Sequence, residues 1–161
     1  MARLVLTDAS PLIGLARVDG VEWLRRLFGR VEMTAAVYEE LAAAGRPEPA
    51  VAQALAIGWL VSRRGEGSGP ARPPHLGPGE WSTLVAARRH RGPVLVLMDD
   101  RLARREARAQ GLTVAGTAAV VGMAQARGLI PSARDVFEAL LRADFRISRE
   151  IILEVLDRVE G

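Results

Sequence analysis

The sequence predicts an α/β fold built on a mostly parallel sheet. Three observations lead there. Short apolar runs alternate with helix-length segments along the chain, the pattern of parallel strands joined by crossover helices. One of these runs, VLVLM at 94–98, is uninterrupted and ends on Asp99 and Asp100, as a buried strand would. The chain has 161 residues, 49% hydrophobic and 25% charged, which suits one domain over 1–161 with a proper core.

The elements follow in order. Residues 3–7 (RLVLT) read as the first strand. Ser10 and Pro11 read as an N-cap with proline at the first helical position, so a helix should run to about Val18. A second helix is expected near 20–28. RVEM at 30–33 reads as a short strand, with Thr34 capping a helix over 35–44. Residues 47–57 read as helical, WLVS at 59–62 as a strand, and GEGSGPARPP at 65–74 as a loop by composition. A helix over 78–91, a strand at 93–98, a helix at 100–110, a strand at 112–114 and a helix at 117–127 complete the alternation. The tail, about 132–161, reads as a C-terminal extension of two amphipathic helices broken near Asp144–Ile147. No internal repeat or second domain interrupts the pattern.

Composition excludes several chemistries. There is no cysteine, hence no disulfide framework and no thiolate metal site. All 22 basic residues are arginine, so lysine-dependent P-loop, Schiff-base and receiver-type chemistry is excluded. What remains is a set of guanidiniums suited to phosphate. No apolar run approaches the ~18 residues of a membrane span, and LVL at 4–6 ends too soon for a signal peptide. A soluble, cytosolic protein is the expectation.

The candidate site is acidic. In open parallel sheets ligands sit outside the carboxyl ends of the strands. Asp8 ends the first strand, and Asp99 and Asp100 end the run at 94–98. Two like charges ~4 Å apart repel by about 4 kcal/mol at an effective dielectric of ~20, so the pair calls for a counter-charge. On the helix over 35–44, Val37 and Leu41 mark the buried stripe. Glu40 lies about 60° from Val37, beside that stripe, while Glu39 points away. Glu80 stands in the first turn of the helix after Gly77-Pro78-Gly79 and borders the buried face through Leu84. Each acid alone has an ordinary use: Asp8, Asp99 or Asp100 as a helix cap, Glu80 as a partner of a helix dipole. Together they form an oxygen-rich cluster suited to a hard divalent cation, Mg²⁺ or Mn²⁺. His75 and His90 are isolated and read as solvent-facing, which disfavours zinc.

DASPLIGLA (8–16), VYEEL (37–41), LGPGEWSTLVAA (76–87), LMDDRLARREARAQGL (97–112) and VAGT (114–117) occur in an order that closely resembles PIN-domain proteins. The chain is most similar to the bacterial and archaeal branch related to the toxins of VapBC-type toxin–antitoxin modules, and FRIS at 145–148 resembles that branch too. The resemblance implies a three-layer α/β/α sandwich around a central, mostly parallel sheet, and a metal-dependent ribonuclease. Carried across, Asp8, Glu40, Glu80 and Asp100 match the family acids, and Asp99 matches a position often polar or acidic. Asp8 and Asp100 are expected as primary metal ligands, with Asp99, Glu80 and Glu40 completing the shell or orienting water. Ser10 or Thr117 matches a supporting hydroxyl. Many of these toxins carry aspartate where this chain has Glu80, a longer arm that reaches a metal directly or through water. A bound cation would lower the pKa of a water for in-line attack on phosphorus. A 5′-phosphate product is implied.

An acidic pocket repels RNA, so the substrate needs a basic hold beside it. Arg101, Arg104, Arg105 and Arg108 fall on one face of the helix at 100–110, and they are the RNA-binding candidates. Arginines at 88, 89 and 91, and at 63, 64 and 72, extend a possible basic rim. At 4% aromatic content, phosphate and shape rather than base stacking should carry recognition. On the last helix Ile147, Ile151, Ile152, Val155, Leu156 and Val159 form one apolar stripe. Its commonest use is packing on the parent domain. The resemblance adds a homodimer, or an antitoxin whose arginine enters the acidic pocket. The competing reading is a non-catalytic RNA- or protein-binding module of the same fold.

Overall fold

The computed structural model describes residues 3–43, 45, 47–65 and 69–161. Residue 44, at the predicted end of the third helix, and 66–68, within the predicted loop, lie outside them. The described elements run β1 (Leu4–Thr7), α1 (Ala9–Ala16), α2 (Val21–Phe28), β2 (Val31–Met33), α3 (Ala35–Ala43), α4 (Pro49–Ile57), β3 (Leu60–Ser62), α5 (Pro78–Arg89), β4 (Val94–Leu97), α6 (Arg101–Ala109), β5 (Thr113–Ala115), α7 (Thr117–Ala126), α8 (Ala133–Arg142) and α9 (Arg149–Glu160).

The five strands form one sheet in the order β3-β2-β1-β4-β5, and every pairing is parallel. The chain lays strands outward from β1 on one side, then returns to start β4 on the other. That reversal makes the carboxyl ends of β1 and β4 the switch point, where neighbouring connections leave in opposite directions and open a crevice. β1 and β4 are paired over four residues, Leu4 with Val94 through Thr7 with Leu97, so Asp8 and Asp99 emerge at the same end of adjacent strands.

Strand periodicity divides the core in two. Val5, Leu95 and Leu97 face a cluster that includes Leu12, Leu24, Val121 and Phe137. Leu4, Leu6, Val96 and Met98 face the other way, against Leu84, Ala87, Ala103 and Ala107 of α5 and α6. The result is the expected three-layer sandwich. The tail is part of it. A Cβ on Gly122 of α7 would stand 2.7 Å from Val155, so the glycine lets α9 pack closely on α7. Val155 and Leu156 are buried, and Ile147, Ile151, Ile152 and Val159 pack partly buried against the same core. The apolar stripe of the last helix therefore packs on the parent domain, and a Phe145 ring carbon would lie 2.6 Å from a Cβ on Gly14.

Most boundaries fall within a residue or two of expectation, and one difference bears on the site. α1 starts at Ala9, not after Ser10, and Asp8 is its N-cap residue. The Asp8 N–H donates to Leu97 O at 2.8 Å, which ends β1 and turns the chain straight into the helix. Pro11 then falls at the third helical position, where its missing N–H has no intrahelical partner to lose. Ser10 is thereby released from capping. Thr34 does cap α3, accepting from the Val37 N–H at 3.3 Å. No helix among the described residues is long and apolar enough to cross a membrane.

Candidate active site

Asp8 is the most confined of the acids. Its backbone is extended (φ −78°, ψ 174°) at the carboxyl end of β1, and the side chain makes no capping bond to α1. The residue is 5% exposed. Its Oδ1 is buried and has no hydrogen-bond partner. Burial, opposed in part by the Ala9 N–H and reinforced by the negative charges of Glu80, Glu40 and Asp99, raises its pKa to about 7. The charges of three other acids thus reach Asp8.

Glu40, in the last turn of α3, reaches across to α5, where its Oε1 accepts from the Gly79 N–H at 2.8 Å. A Cβ at position 79 would overlap that carboxylate, so the close approach requires glycine. A second tie joins the two helices: the Thr34 and Ser82 hydroxyls are 2.6 Å apart. Glu80 turns back on its own helix, Oε2 accepting from the Gly77 N–H at 3.2 Å. This is the glutamate half of a capping box, the other half being impossible for glycine. Burial first, then the charges of Asp100 and Glu40, push the Glu80 pKa up against the lowering effect of the Gly77 bond.

The two aspartates after β4 have different surroundings. Asp100 is the N-cap of α6, its Oδ2 accepting from the Ala103 N–H at 2.9 Å. The cap uses one oxygen of an exposed carboxylate. Asp99 is bound by three donors. Its Oδ1 accepts from the Thr117 N–H at 2.7 Å, and its Oδ2 from the Thr117 hydroxyl at 2.8 Å and the Ser10 hydroxyl at 2.9 Å. Ser10 and Thr117 thus act together on Asp99, clamping α1, the end of β4 and α7 around it. The capping interpretation describes Asp100 and the first-turn Glu80, and does not describe Asp8.

The donor set suits a hard cation. Every candidate ligand is a carboxylate oxygen, and both histidines are exposed. Among the described residues no three Asp, Glu or His side chains stand as a group that could hold a metal ion. Mg²⁺ needs no group of three, because it keeps several waters and takes one or two protein carboxylates. The unpartnered, buried Oδ1 of Asp8 is the atom such an ion would satisfy.

Beside the acids, Arg101, Arg104 and Arg108 line a cleft between α6 and α9, together with Arg146. Arg105 is exposed and does not line it. Arg104 is half-buried; desolvation and the neighbouring Arg108 pull its pKa down against Asp99 and Glu154. Two features had no distinct signal in the sequence. Arg146 lies far along the chain from the acids, and the steric role of Gly79 depends on a glutamate 39 residues away.

The PilT N-terminus domain protein from the hyperthermophilic archaeon Sulfolobus solfataricus has a similar structure, with a TM-score of 0.56 at 15% identity over 73% of this chain and 89% of that one. At that identity the likeness speaks for the fold alone. None of the curated proteins matches the sequence. The family model described as PIN domain (DUF3368) matches residues 4–161. With that match running from β1 to the end of α9 over an all-parallel sheet, the chain belongs to the PIN-domain family.

Proposed function

We propose that this protein is an Mg²⁺- or Mn²⁺-dependent endoribonuclease, toxin-like in kind. The PIN fold is typically a nuclease fold and commonly uses divalent metals. The observation that carries the reading is the buried, unpartnered Oδ1 of Asp8 amid carboxylates that repel it. A folded domain tolerates such an arrangement at a cost in stability, and sites of that kind are where function concentrates.

Asp8 and Asp100 would hold the ion, with Glu80 and Glu40 completing its surroundings. A bound divalent cation supplies charge neutralisation for the phosphate and a more acidic water. Asp8, ionised, provides the oxygen that binds. Glu40, which accepts from the Gly79 N–H, and Glu80, which accepts from the Gly77 N–H, would orient the attacking water. Asp99 aligns the aspartate pair through Ser10 and Thr117 and contributes charge to the pocket. The toxin-like part of the proposal includes an antitoxin partner, a homodimer and a cytosolic setting. Cleavage of a mixed RNA pool with Mn²⁺, beside Asp8→Asn and Asp100→Asn, tests the activity. No metal-dependent cleavage by the parent protein, or full cleavage by both variants, defeats it.

A second reading is a non-catalytic RNA- or protein-binding module. It is favoured by the use of Asp99, Glu40 and Glu80 in hydrogen bonds that hold helix starts. Under it, Mn²⁺ gives no rise in melting temperature.

A further inference from the structure

A cleft of about 670 Å³ opens beside Asp99, bounded by α6, Ala118 near the start of α7, and the N-terminal half of α9. Four guanidiniums line it: Arg101, Arg104 and Arg108 from α6, and Arg146 from the turn before α9. Among the described residues none of the four is in an ion pair. The Nε of Arg104 is buried without an acceptor. Arg101 to Arg108 spans about 10 Å of helix, so the charges form a track rather than a point. The opposite wall brings Glu150 and Glu154, which leave the α6 side as the attractive one for an anion.

The cleft reaches the candidate acids through Asp99, which lines it. A Cβ on Gly116 would stand 2.9 Å from Asp99 Oδ1 and 3.0 Å from Arg104 Nη1, so one bare backbone position separates the last acid from the first buried arginine. Guanidiniums bind phosphodiesters through paired N–H groups, and an unsatisfied buried donor is relieved by an incoming acceptor.

We propose that the α6–α9 cleft is the channel for the RNA strand on one side of the scissile phosphate, its four arginines gripping successive phosphates and leading the chain past Asp99 to the carboxylates. The proposal rests on the ribonuclease reading for the identity of its ligand. It makes Arg146 a strand-binding residue and leaves Arg105 outside the track. Asp99 in the cleft wall, next to Asp100 in the chain, places the track beside the candidate acids and favours a polyphosphate chain over an acidic protein segment.

The test separates binding from cleavage. A short fluorescein-labelled single-stranded RNA is titrated with the full-length protein in EDTA, and anisotropy is read between about 50 and 200 mM salt. Arg108→Gln and Arg146→Gln are both at exposed positions. Each should weaken binding several-fold and reduce the salt slope by about 0.7, the double variant by about 1.4. Arg127→Gln, an exposed arginine at the end of α7, removes the same charge and should bind as the parent does. Parent-like binding by the cleft variants overturns the channel, and so does an equal loss in Arg127→Gln, which would reduce the effect to net charge. Displacement of the RNA by poly-glutamate at lower concentration than by unlabelled RNA reassigns the cleft to an acidic protein partner. If cleavage with Mn²⁺ fails while the cleft variants still lose RNA, the channel stands and the nuclease reading falls. Cleavage that survives in cleft variants with unchanged RNA affinity has the reverse meaning.

Discussion

Replacing Asp8 by asparagine should make the metal-free protein more stable at pH 8 and abolish the benefit of metal. The buried carboxyl has its pKa raised from 3.8 to about 7, chiefly by desolvation. Between those values the native state holds a proton that the unfolded state has lost, so stability falls as pH rises. The penalty is absent below about 3.8, grows through the window and is complete above about 7. Its size is the shift of roughly three units times 1.36 kcal/mol per unit, or about 4 kcal/mol. Asp8 is almost fully enclosed, so solvent screening takes little from this figure. Asparagine occupies the same space without the charge. In EDTA at pH 8 its melting temperature should exceed the parent's by up to about 8–16 °C, at ~2–4 °C per kcal/mol for a domain of this size. At pH 4 the two should converge. Adding Mn²⁺ at pH 8 should raise the parent curve and leave the variant where it is. Thermal melts followed by circular dichroism over pH 4–8 check this. Parallel stability curves for the two proteins, with a difference independent of pH, would refute the reasoning, because no ionisation would then be coupled to folding at this position.

Three further outcomes follow from the same geometry. Gly79→Ala should drive Glu40 off its backbone donor, cutting cleavage about 10- to 100-fold while α5 keeps its helicity; single-turnover rates and far-UV spectra read the two separately. Thr117→Val should cost about 1–2 kcal/mol and Ser10→Ala about 1 kcal/mol, and a double-mutant cycle by urea denaturation should show the pair to be non-additive, since both hydroxyls donate to Asp99 Oδ2. Gly122→Val should destabilise by more than about 2 kcal/mol by forcing α9 off α7, and Val155→Ala in the same chain should recover part of that loss.

Much of the architecture was legible because it depends on local pattern. The alternation of apolar runs and helical segments located the strands and helices to within a few residues, and strand-end acids on β1 and β4 pointed at the switch point. The start of α1 was misplaced because a Ser-Pro pair resembles a cap. The bond from the Asp8 N–H to Leu97 O, a contact between residues 89 apart, moves the cap back by two residues. The arginine face of α6 was visible as a helical spacing. Its division into Arg101, Arg104 and Arg108 within the cleft and Arg105 outside it depends on where α9 packs.

Taken by itself, the sequence determined the fold class, the oxygen-only chemistry of the acids and the arginine-only chemistry around them, because side-chain identity and short-range periodicity carry that information. The tertiary structure alone decided which acid is buried with an unpartnered oxygen, which is bound by two hydroxyls and an amide, and which caps a helix with one exposed carboxylate oxygen. Those distinctions come from desolvation and hydrogen-bond partners supplied by distant segments, and no local pattern encodes them.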